Sequence, residues 1–141
     1  GLTDLALPAM RERKWGRILT VASSGVVQPI PAIGMSNTLR SALVGWSKTL
    51  SGEVARDGVT MNMLLPGRIA TQRIVQSDTF TAQRTGKTVE EVTAHSLTEI
   101  PAGRLGTIEE FGAVAAFLAS QQASYVTGSV IRIDGGSIKG V

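Results

Sequence analysis

The sequence has 141 residues, 43% of them hydrophobic, which suits a single domain with a packed core. It has no cysteine and one histidine, His95, which excludes disulfides, thiolate zinc sites, thiol nucleophiles and His-rich metal sites. The formal net charge is +3, no apolar run approaches the roughly 18 residues of a membrane span, and the first residues lack signal-peptide character, so we expect a cytoplasmic protein without membrane contact.

The first predicted element is a helix over residues 2–13, with apolar residues at helical spacing and Pro8 in its interior. Four basic side chains lie in its last turn or just after it: Arg11, Arg13, Lys14 and Arg17. Cations at this end of a helix complement its dipole and its exposed carbonyls. Only 4% of the residues are aromatic, so base-stacking side chains are scarce. We therefore interpret the cluster as a solvated helix end and expect no nucleic-acid partner.

Two buried strands flank a long amphipathic helix. A strand is predicted over residues 18–22, where Ser23-Ser24-Gly25 stops it. Apolar residues then recur every three or four positions over 36–56, which predicts a helix. As early helix residues, Asn37 and Thr38 are interpreted as its caps, although they could instead provide polar contacts near Ser36. Asp57-Gly58 ends that helix, and the apolar segment 59–65 is the second predicted strand.

The remaining residues predict a polar segment, a helix and a strand. Residues 72–98 are polar and weakly patterned, with one predicted helix over 89–97, and we expect a mobile flap there. Thr107-Ile108-Glu109-Glu110 is a capping box that begins a helix extending to about Ser120. Residues 125–133 form the last predicted strand, which Asp134-Gly135-Gly136 closes.

This order of elements predicts an α/β domain built on an open parallel sheet of about three strands. Parallel strands are usually covered by helices on both faces, and a sheet this small leaves one long edge free. We therefore expect exposed apolar surface. A partner, a missing upstream segment or further copies of the chain would cover it.

Short motifs occur in the order typical of one enzyme family. Thirteen residues after Ser23 comes Ser36-Asn37-Thr38-Leu39-Arg40, and Pro-Gly-Arg-Ile-Ala-Thr follows at 66–71. Further motifs are Pro-Ala-Gly-Arg at 101–104, Tyr-Val-Thr-Gly at 125–128 and Asp-Gly-Gly at 134–136. The chain resembles the second half of short-chain dehydrogenases/reductases, nearest to reductases of the 3-oxoacyl carrier protein type. The resemblance implies a Rossmann-like open parallel sheet, of which residues 1–141 are the C-terminal, catalytic half.

The dinucleotide-binding half of that family is not expected in this chain. Among the 16 glycines no two are separated by a single residue, so the G-x-G-x-x-G fingerprint does not occur. The resemblance implies NAD or NADP as cofactor of the complete protein. We expect weak or no binding of it by these 141 residues alone.

The resemblance also implies catalytic roles for Ser23, Ser36 and Arg40. Relatives have tyrosine and lysine at the last two positions, where the tyrosine exchanges the hydroxyl proton as hydride moves to or from nicotinamide. A phenol can be tuned toward neutral pH but an aliphatic hydroxyl cannot, so Ser36 would orient an oxygen and donate protons poorly. Arg40 would hold ribose or phosphate, yet its guanidinium keeps its proton and cannot relay one.

Ser23 and Tyr125 each allow a purely structural interpretation. Ser23 matches the family serine that donates to the substrate oxygen, and by itself it is an ordinary strand-ending turn residue. Tyr125, the only tyrosine, belongs to the Tyr-Val-Thr-Gly motif, and we interpret it as structural.

The resemblance assigns two further surfaces. Pro66, Gly67, Ile69 and Thr71 would cradle nicotinamide, although Pro-Gly alone is simply a turn. The helices over 2–13 and 36–56 form the subunit interface in many relatives, with Trp46 and Leu50 as anchors here. The same apolar stripe could instead face its own sheet.

The sequence therefore predicts an NAD(P)-dependent oxidoreductase for a small carbonyl or alcohol substrate, inactive or nearly so as these residues alone. Loss of a positioned acid lowers the reaction rate about 10²- to 10⁴-fold. The chain would form a homo-oligomer or pair with a missing N-terminal half. The alternative is a non-catalytic scaffold for oligomerisation or partner binding. A serine hydrolase does not fit, because there is no G-x-S-x-G motif and His95 lies in the polar segment.

Overall fold

The computed structural model describes residues 1–140, and these contain three strands and five α-helices. Val141, the last residue of the predicted domain, lies outside the described residues. The helices are α1 (Leu2–Glu12), α2 (Gly34–Val54), α3 (Gln72–Thr85), α4 (Val89–Thr98) and α5 (Ile108–Ala119). The strands are β1 (Gly16–Val21), β2 (Val59–Pro66) and β3 (Val130–Ile133).

The strands form one parallel sheet in the order β1-β2-β3, which confirms the predicted fold class. Gly16 pairs with Val59 at one end of the first ladder, and Pro66 pairs with Ile133 at the end of the second. The central strand β2 is buried from Val59 to Leu65, as expected of a parallel strand with both faces covered.

Alternate residues of β2 build two separate cores. Met63 and Leu65 pack with Ala22 and Ile138 on the face that Val44 of α2 covers. Leu64 points to the other face and packs with residues of α5 and the segment after it; the cluster includes Leu118, Ala123, Phe111 and Val114. This period-two alternation fixes which side of the sheet each helix covers.

Helix α2 begins two residues before the predicted start, and its predicted caps are wrong. Its N-cap is Ile33, without a side-chain cap bond. Asn37 Nδ2 instead donates to the carbonyl of Ile30 at 2.9 Å, and Thr38 Oγ1 donates to the carbonyl of Gly34 at 3.0 Å. Asn37 thus stabilises the loop before α2, whereas Thr38 bonds within the first turn of the helix, and neither side chain caps the free N–H groups.

The polar segment over 72–98 contains two helices rather than an irregular flap around one. Helix α4 was predicted, whereas α3, with 14 residues, was missed. The buried positions of α3 are Asp78 and Ala82, so its inward face lacks the large apolar residues on which helix prediction depends.

The last strand is shorter than predicted, because residues 125–129 lead into it as a loop. Gly128 has a φ of 67° and donates its N–H to the carbonyl of Met61 at 2.7 Å, which joins this loop to β2. Tyr125, which we interpreted as structural, is fully exposed.

The basic cluster has intramolecular partners. Arg11 Nε and Lys14 Nζ each donate to Asp57 at 2.6 Å, and Arg17 Nε donates to the carbonyl of Ser120 at 3.0 Å. The guanidinium of Arg17 also lies over the Trp15 ring, 5.1 Å from its centroid. These contacts tie the end of α1 to the turn before β2, and the start of β1 to the end of α5.

Apolar side chains are exposed on α1 and α2, as the sequence predicts. Leu2 is 87% exposed, Leu39 63% and Trp46 43%, and Leu50 is half-buried. Among the described strands β1 pairs only with β2, which leaves its other edge free. No helix within residues 1–140 has both the length and the apolar character that a bilayer span requires. The same residues contain no group of three His, Asp or Glu side chains placed to hold a metal ion.

Candidate functional site

A cavity of about 600 Å³ lies beyond the carboxyl ends of β1 and β2. Its lining includes five residues of the predicted site: Ser23, Ser36, Arg40, Pro66 and Gly67. Three separate segments contribute them, namely the end of β1, the first turns of α2 and the end of β2. This is where open α/β sheets bind ligands, because loops from neighbouring parallel strands meet there.

Ser23 fits both of its interpretations. It caps the short turn Ser24–Val26, since its Oγ accepts a hydrogen bond from the N–H of Gly25 at 3.2 Å. A hydroxyl that accepts one bond still has its own hydrogen to donate. Ser23 can therefore end the strand and donate into the cavity at the same time.

Ser36 and Arg40 lie one helical turn apart and contact each other. Arg40 Nε donates to Ser36 Oγ at 3.3 Å, and Nη1 donates to the carbonyl of Ala22 at 3.1 Å. The guanidinium thus joins α2 to the end of β1. Its Nη2 makes no hydrogen bond to any of residues 1–140, and the Ser36 hydroxyl keeps a hydrogen to donate.

The other predicted cofactor residues line a second cavity of about 300 Å³. Ile69 and Thr71 contribute to it, with a mainly apolar remainder that includes Val21, Ile74, Ile108 and Phe111. Thr71 is the N-cap of α3, but its hydroxyl makes no cap bond. Pro66, Gly67 and Arg73 line both cavities, so the two spaces adjoin at the end of β2.

Gly67 allows the loop after β2 to pass close to the turn at Asp134. A Cβ on Gly67 would lie 2.5 Å from Asp134 Cα, which is far inside van der Waals contact. Asp134 is itself held in place, because its carboxylate accepts the N–H groups of Gly136 and Ile138, each at 3.0 Å. Glycine is therefore required here by packing, and Pro-Gly is more than a turn signal.

Several lining residues of the first cavity were missed from the sequence. They are Arg73 on α3, His95, Ser96 and Glu99 on or next to α4, and Ser137 and Lys139 near the C-terminus. His95 and Glu99 are four residues apart, so helical spacing puts them on one face, and this was the only available signal. The helix pair α3–α4 therefore forms a wall of the cavity, although the sequence suggested a polar flap.

A buried ion pair connects this wall to the loop after β2. Arg68 Nη2 donates to both carboxylate oxygens of Asp78, at 2.6 and 2.7 Å, and Thr93 Oγ1 donates to Oδ2 at 2.9 Å. The Asp78 side chain is only 4% exposed and that of Arg68 26%. Arg68 Nε is buried without a hydrogen-bond partner in the described part of the chain, an arrangement that costs free energy.

A model of the short-chain dehydrogenases, described as enoyl-(acyl carrier protein) reductase, matches residues 1–137. The chain belongs to the short-chain dehydrogenase/reductase family. Its three parallel strands and their helices correspond to part of the Rossmann-like fold of that family.

Two relatives of this chain are named as reductases. It is 37% identical over 139 residues to 3-oxoacyl-[acyl-carrier-protein] reductase FabG of Salmonella typhimurium (strain LT2), a match covering 96% of this chain and 51% of FabG. It is 34% identical over 132 residues to the NADPH-dependent reductase BacG of Bacillus subtilis (strain 168), covering 94% of this chain and 51% of BacG. The chain thus spans about half the length of these relatives.

Solved structures show the same relation. YwfH, an NADPH-dependent reductase involved in bacilysin biosynthesis, superposes with a TM-score of 0.93 and 33% identity, over 99% of this chain and 53% of YwfH. L-sorbose reductase from Gluconobacter frateurii, solved with NADPH and L-sorbose, gives a TM-score of 0.90 and 31% identity, over 99% of this chain and 54% of that chain.

Proposed function

We propose that these residues are the C-terminal, substrate-binding half of an NAD(P)-dependent oxidoreductase that interconverts a small carbonyl compound and its alcohol. The observation that carries the proposal is the larger cavity at the strand ends. The hydroxyls of Ser23 and Ser36 and the guanidinium of Arg40 line it, and the smaller apolar cavity adjoins it. The relatives support the choice of reaction, because BacG is named an NADPH-dependent reductase and L-sorbose reductase was solved with NADPH.

The residues around the second cavity fit a nicotinamide ring. Pro66 and Ile69 offer apolar surface to a flat heterocycle, and the hydroxyl of Thr71, unused as a cap, is free to bond an amide. The free Nη2 of Arg40 suits a ribose hydroxyl or a phosphate. Bound NAD or NADP would supply or accept the hydride.

Ser23 and Ser36 would bind the substrate oxygen. Each accepts one hydrogen bond within the protein, and each retains a hydrogen to donate to a carbonyl oxygen that becomes negative during reduction. Arg40 adds a permanent positive charge beside Ser36. Neither hydroxyl is a good acid at neutral pH, so protonation of the substrate oxygen would be slow compared with a reaction that uses a phenol.

We propose that an upstream half completes the protein. The G-x-G-x-x-G phosphate-binding fingerprint does not occur in these residues, and β1 has a free edge at which a further parallel strand could pair. The 141 residues by themselves should therefore bind dinucleotide weakly and show little or no turnover.

The thermal melting temperature in rising NADPH concentrations tests this function. A ligand that binds only the native state stabilises it by RT ln(1 + [L]/Kd). We expect almost no shift for these residues alone and a shift that grows with NADPH once an upstream half is restored, for example that of FabG in a chimera. The Arg40→Met variant of the chimera should show a smaller shift than the parent at each NADPH concentration.

The second candidate is a non-catalytic scaffold, which the exposed apolar residues of α1 and α2 favour. In that case a second copy of the chain or another protein would cover Leu2 and Leu39. If NADPH gives no stabilisation even with the upstream half present, the oxidoreductase proposal is wrong and the scaffold is preferred.

A further inference from the structure

We infer that Asp78 is a positioning residue that couples nicotinamide binding to substrate binding through Arg68 and Thr93. We call residues 66–71 the cofactor loop and residues 72–98, which contain α3 and α4, the substrate wall. The inference rests on the proposed function, because it assumes that the loop receives the cofactor and that the wall contacts the substrate.

One carboxylate joins three segments of the chain. Arg68 belongs to the cofactor loop, and its Nη2 binds both oxygens of Asp78 on α3 at 2.6 and 2.7 Å. Thr93 on α4 donates to the same carboxylate at 2.9 Å. A displacement of the loop therefore strains contacts to both helices of the wall.

Burial makes this link stiff. The Asp78 side chain is 4% exposed, so water cannot replace a lost partner, and an unpaired charge at this depth is strongly unfavourable. The ion pair Arg104–Glu110 has similar distances, but its side chains are 58% and 46% exposed, and pairs in such positions contribute little. The Asp78 contacts should keep the loop and the wall moving as one body.

The two linked parts line different cavities. Ile69 and Thr71 of the loop line the apolar cavity, whereas His95 and Ser96 of the wall line the larger one. Arg68 itself also lines the larger cavity. A cofactor that orders the loop would thereby order the wall, so the substrate binds a site already arranged for it. Such coupling is reciprocal, and the substrate should tighten cofactor binding by the same factor.

The Asp78→Asn variant tests the inference, and Asp57→Asn is its matched control. Asp57 also accepts bonds from two cations, Arg11 and Lys14, at 2.6 Å each, but it joins α1 to the turn before β2 and lines neither cavity. Both variants would be made in the complete protein. KM and kcat would be measured with NADPH and either acetoacetyl-CoA or L-sorbose, and hydrogen exchange over residues 72–98 with and without NADPH.

We expect Asp78→Asn to raise the substrate KM about tenfold, as for the loss of one charged buried hydrogen bond, with kcat within about twofold of the parent. NADPH should slow exchange of the substrate wall in the parent and in Asp57→Asn, but not in Asp78→Asn. Asp78→Glu should restore part of this response. If Asp78 had only a structural role, its substitution would not raise KM while leaving kcat unchanged, and NADPH would still slow hydrogen exchange of the substrate wall.

Thr93→Val removes only one hydrogen bond and keeps the shape of the side chain, so it serves if Asp78→Asn does not fold. It should raise KM about threefold and weaken the NADPH response. If Asp78→Asn or Thr93→Val matches Asp57→Asn in KM and in exchange, the coupling does not exist. If the parent binds no NADPH, the proposed function fails separately, and exchange of residues 72–98 in the unliganded variants still shows whether Asp78 holds the wall.

Discussion

The Ser36 hydroxyl accepts a hydrogen bond from Arg40 and has one hydrogen left for a ligand in the cavity. In the proposed site, serine and arginine would retain the donor and the charge that the tyrosine and lysine implied by the family resemblance provide, but not a proton that is easily transferred. The effect of this missing proton donor on the reaction can be measured with substitutions at position 36 alone.

We expect Ser36→Tyr to raise kcat for carbonyl reduction in the complete protein by up to about 10² to 10⁴, the usual contribution of a positioned acid. The cavity of about 600 Å³ has room for the larger side chain, and the adjacent guanidinium stabilises a phenolate. Ser36→Phe is the control, because it adds the ring without the hydroxyl. Equal kcat values for the two variants would show that proton donation at this position does not limit the reaction.

Glu110 is a second single residue that contributes to acid stability, although only modestly, because water screens its exposed ion pair with Arg104. Hydrogen bonds from Arg104 and from the N–H of Thr107 lower the pKa of Glu110 from 4.5 to about 2. Because the pKa is lower in the folded state, folding is favoured by the ionised carboxylate. Its contribution is complete above about pH 4.5 and is lost as the pH falls toward 2.

The Glu110→Gln variant should therefore have a melting temperature that falls less steeply between pH 4.5 and 2 than that of the parent. The measurement is a series of thermal unfolding curves across this range at constant ionic strength. Lys14 and Arg11 also lower the pKa of Asp57, so a residual decline of the same sign is expected in the variant. Parallel curves for parent and variant would exclude Glu110 as a source of acid sensitivity.

At the scale of an element, helix α2 contains glycines that its structure does not require. Cβ atoms added at Gly45 and Gly52 would meet no atom within 4 Å. Glycine in a helix interior costs about 0.5 to 1 kcal/mol relative to alanine, chiefly through backbone entropy. Gly58 differs, because its φ is 72° and a Cβ there would lie 2.2 Å from the carbonyl oxygen of Lys14.

Gly45→Ala and Gly52→Ala should each raise the free energy of unfolding by about 0.5 to 1 kcal/mol, measured by urea denaturation. Gly58→Ala should lower it by more than 1 kcal/mol, because the left-handed backbone and the close carbonyl both exclude a Cβ. A loss of stability in the α2 variants would mean that these positions pack against something, such as a second copy of the chain.

At the scale of the whole molecule, the exposed apolar residues predict self-association. Leu39 and Trp46 are seven residues apart, so both lie on one side of α2, and they are 63% and 43% exposed. Leu39→Glu should shift the chain toward the monomer in sedimentation velocity experiments over a range of concentrations. Ser41→Glu is the control, since Ser41 is exposed and points about 200° away from Leu39 around the helix. An unchanged distribution in Leu39→Glu would remove this side of α2 from any interface.

Local patterns in the sequence were enough to predict most of the secondary structure and one pair of site residues. Apolar periodicity predicted α2, β1 and β2, and the capping box predicted the start of α5, because these signals depend on neighbours within a few residues. The four-residue spacing of Ser36 and Arg40 also sufficed to put the two on one face of a helix. The predicted capping roles of Asn37 and Thr38 were nevertheless wrong, since Asn37 bonds to the loop before α2 and Thr38 to the carbonyl of Gly34 within the helix.

Which helices line the larger cavity became clear only from the tertiary structure. Helix α3 escaped prediction because its buried face includes Asp78, whose burial makes sense only once Arg68 and Thr93 are seen to surround it. His95 was likewise not predicted to line the cavity, because its position depends on how α3 and α4 pack over the loop after β2. Contacts between residues far apart in the chain have no periodic signal, and a buried polar group becomes intelligible only together with the partners that compensate its desolvation.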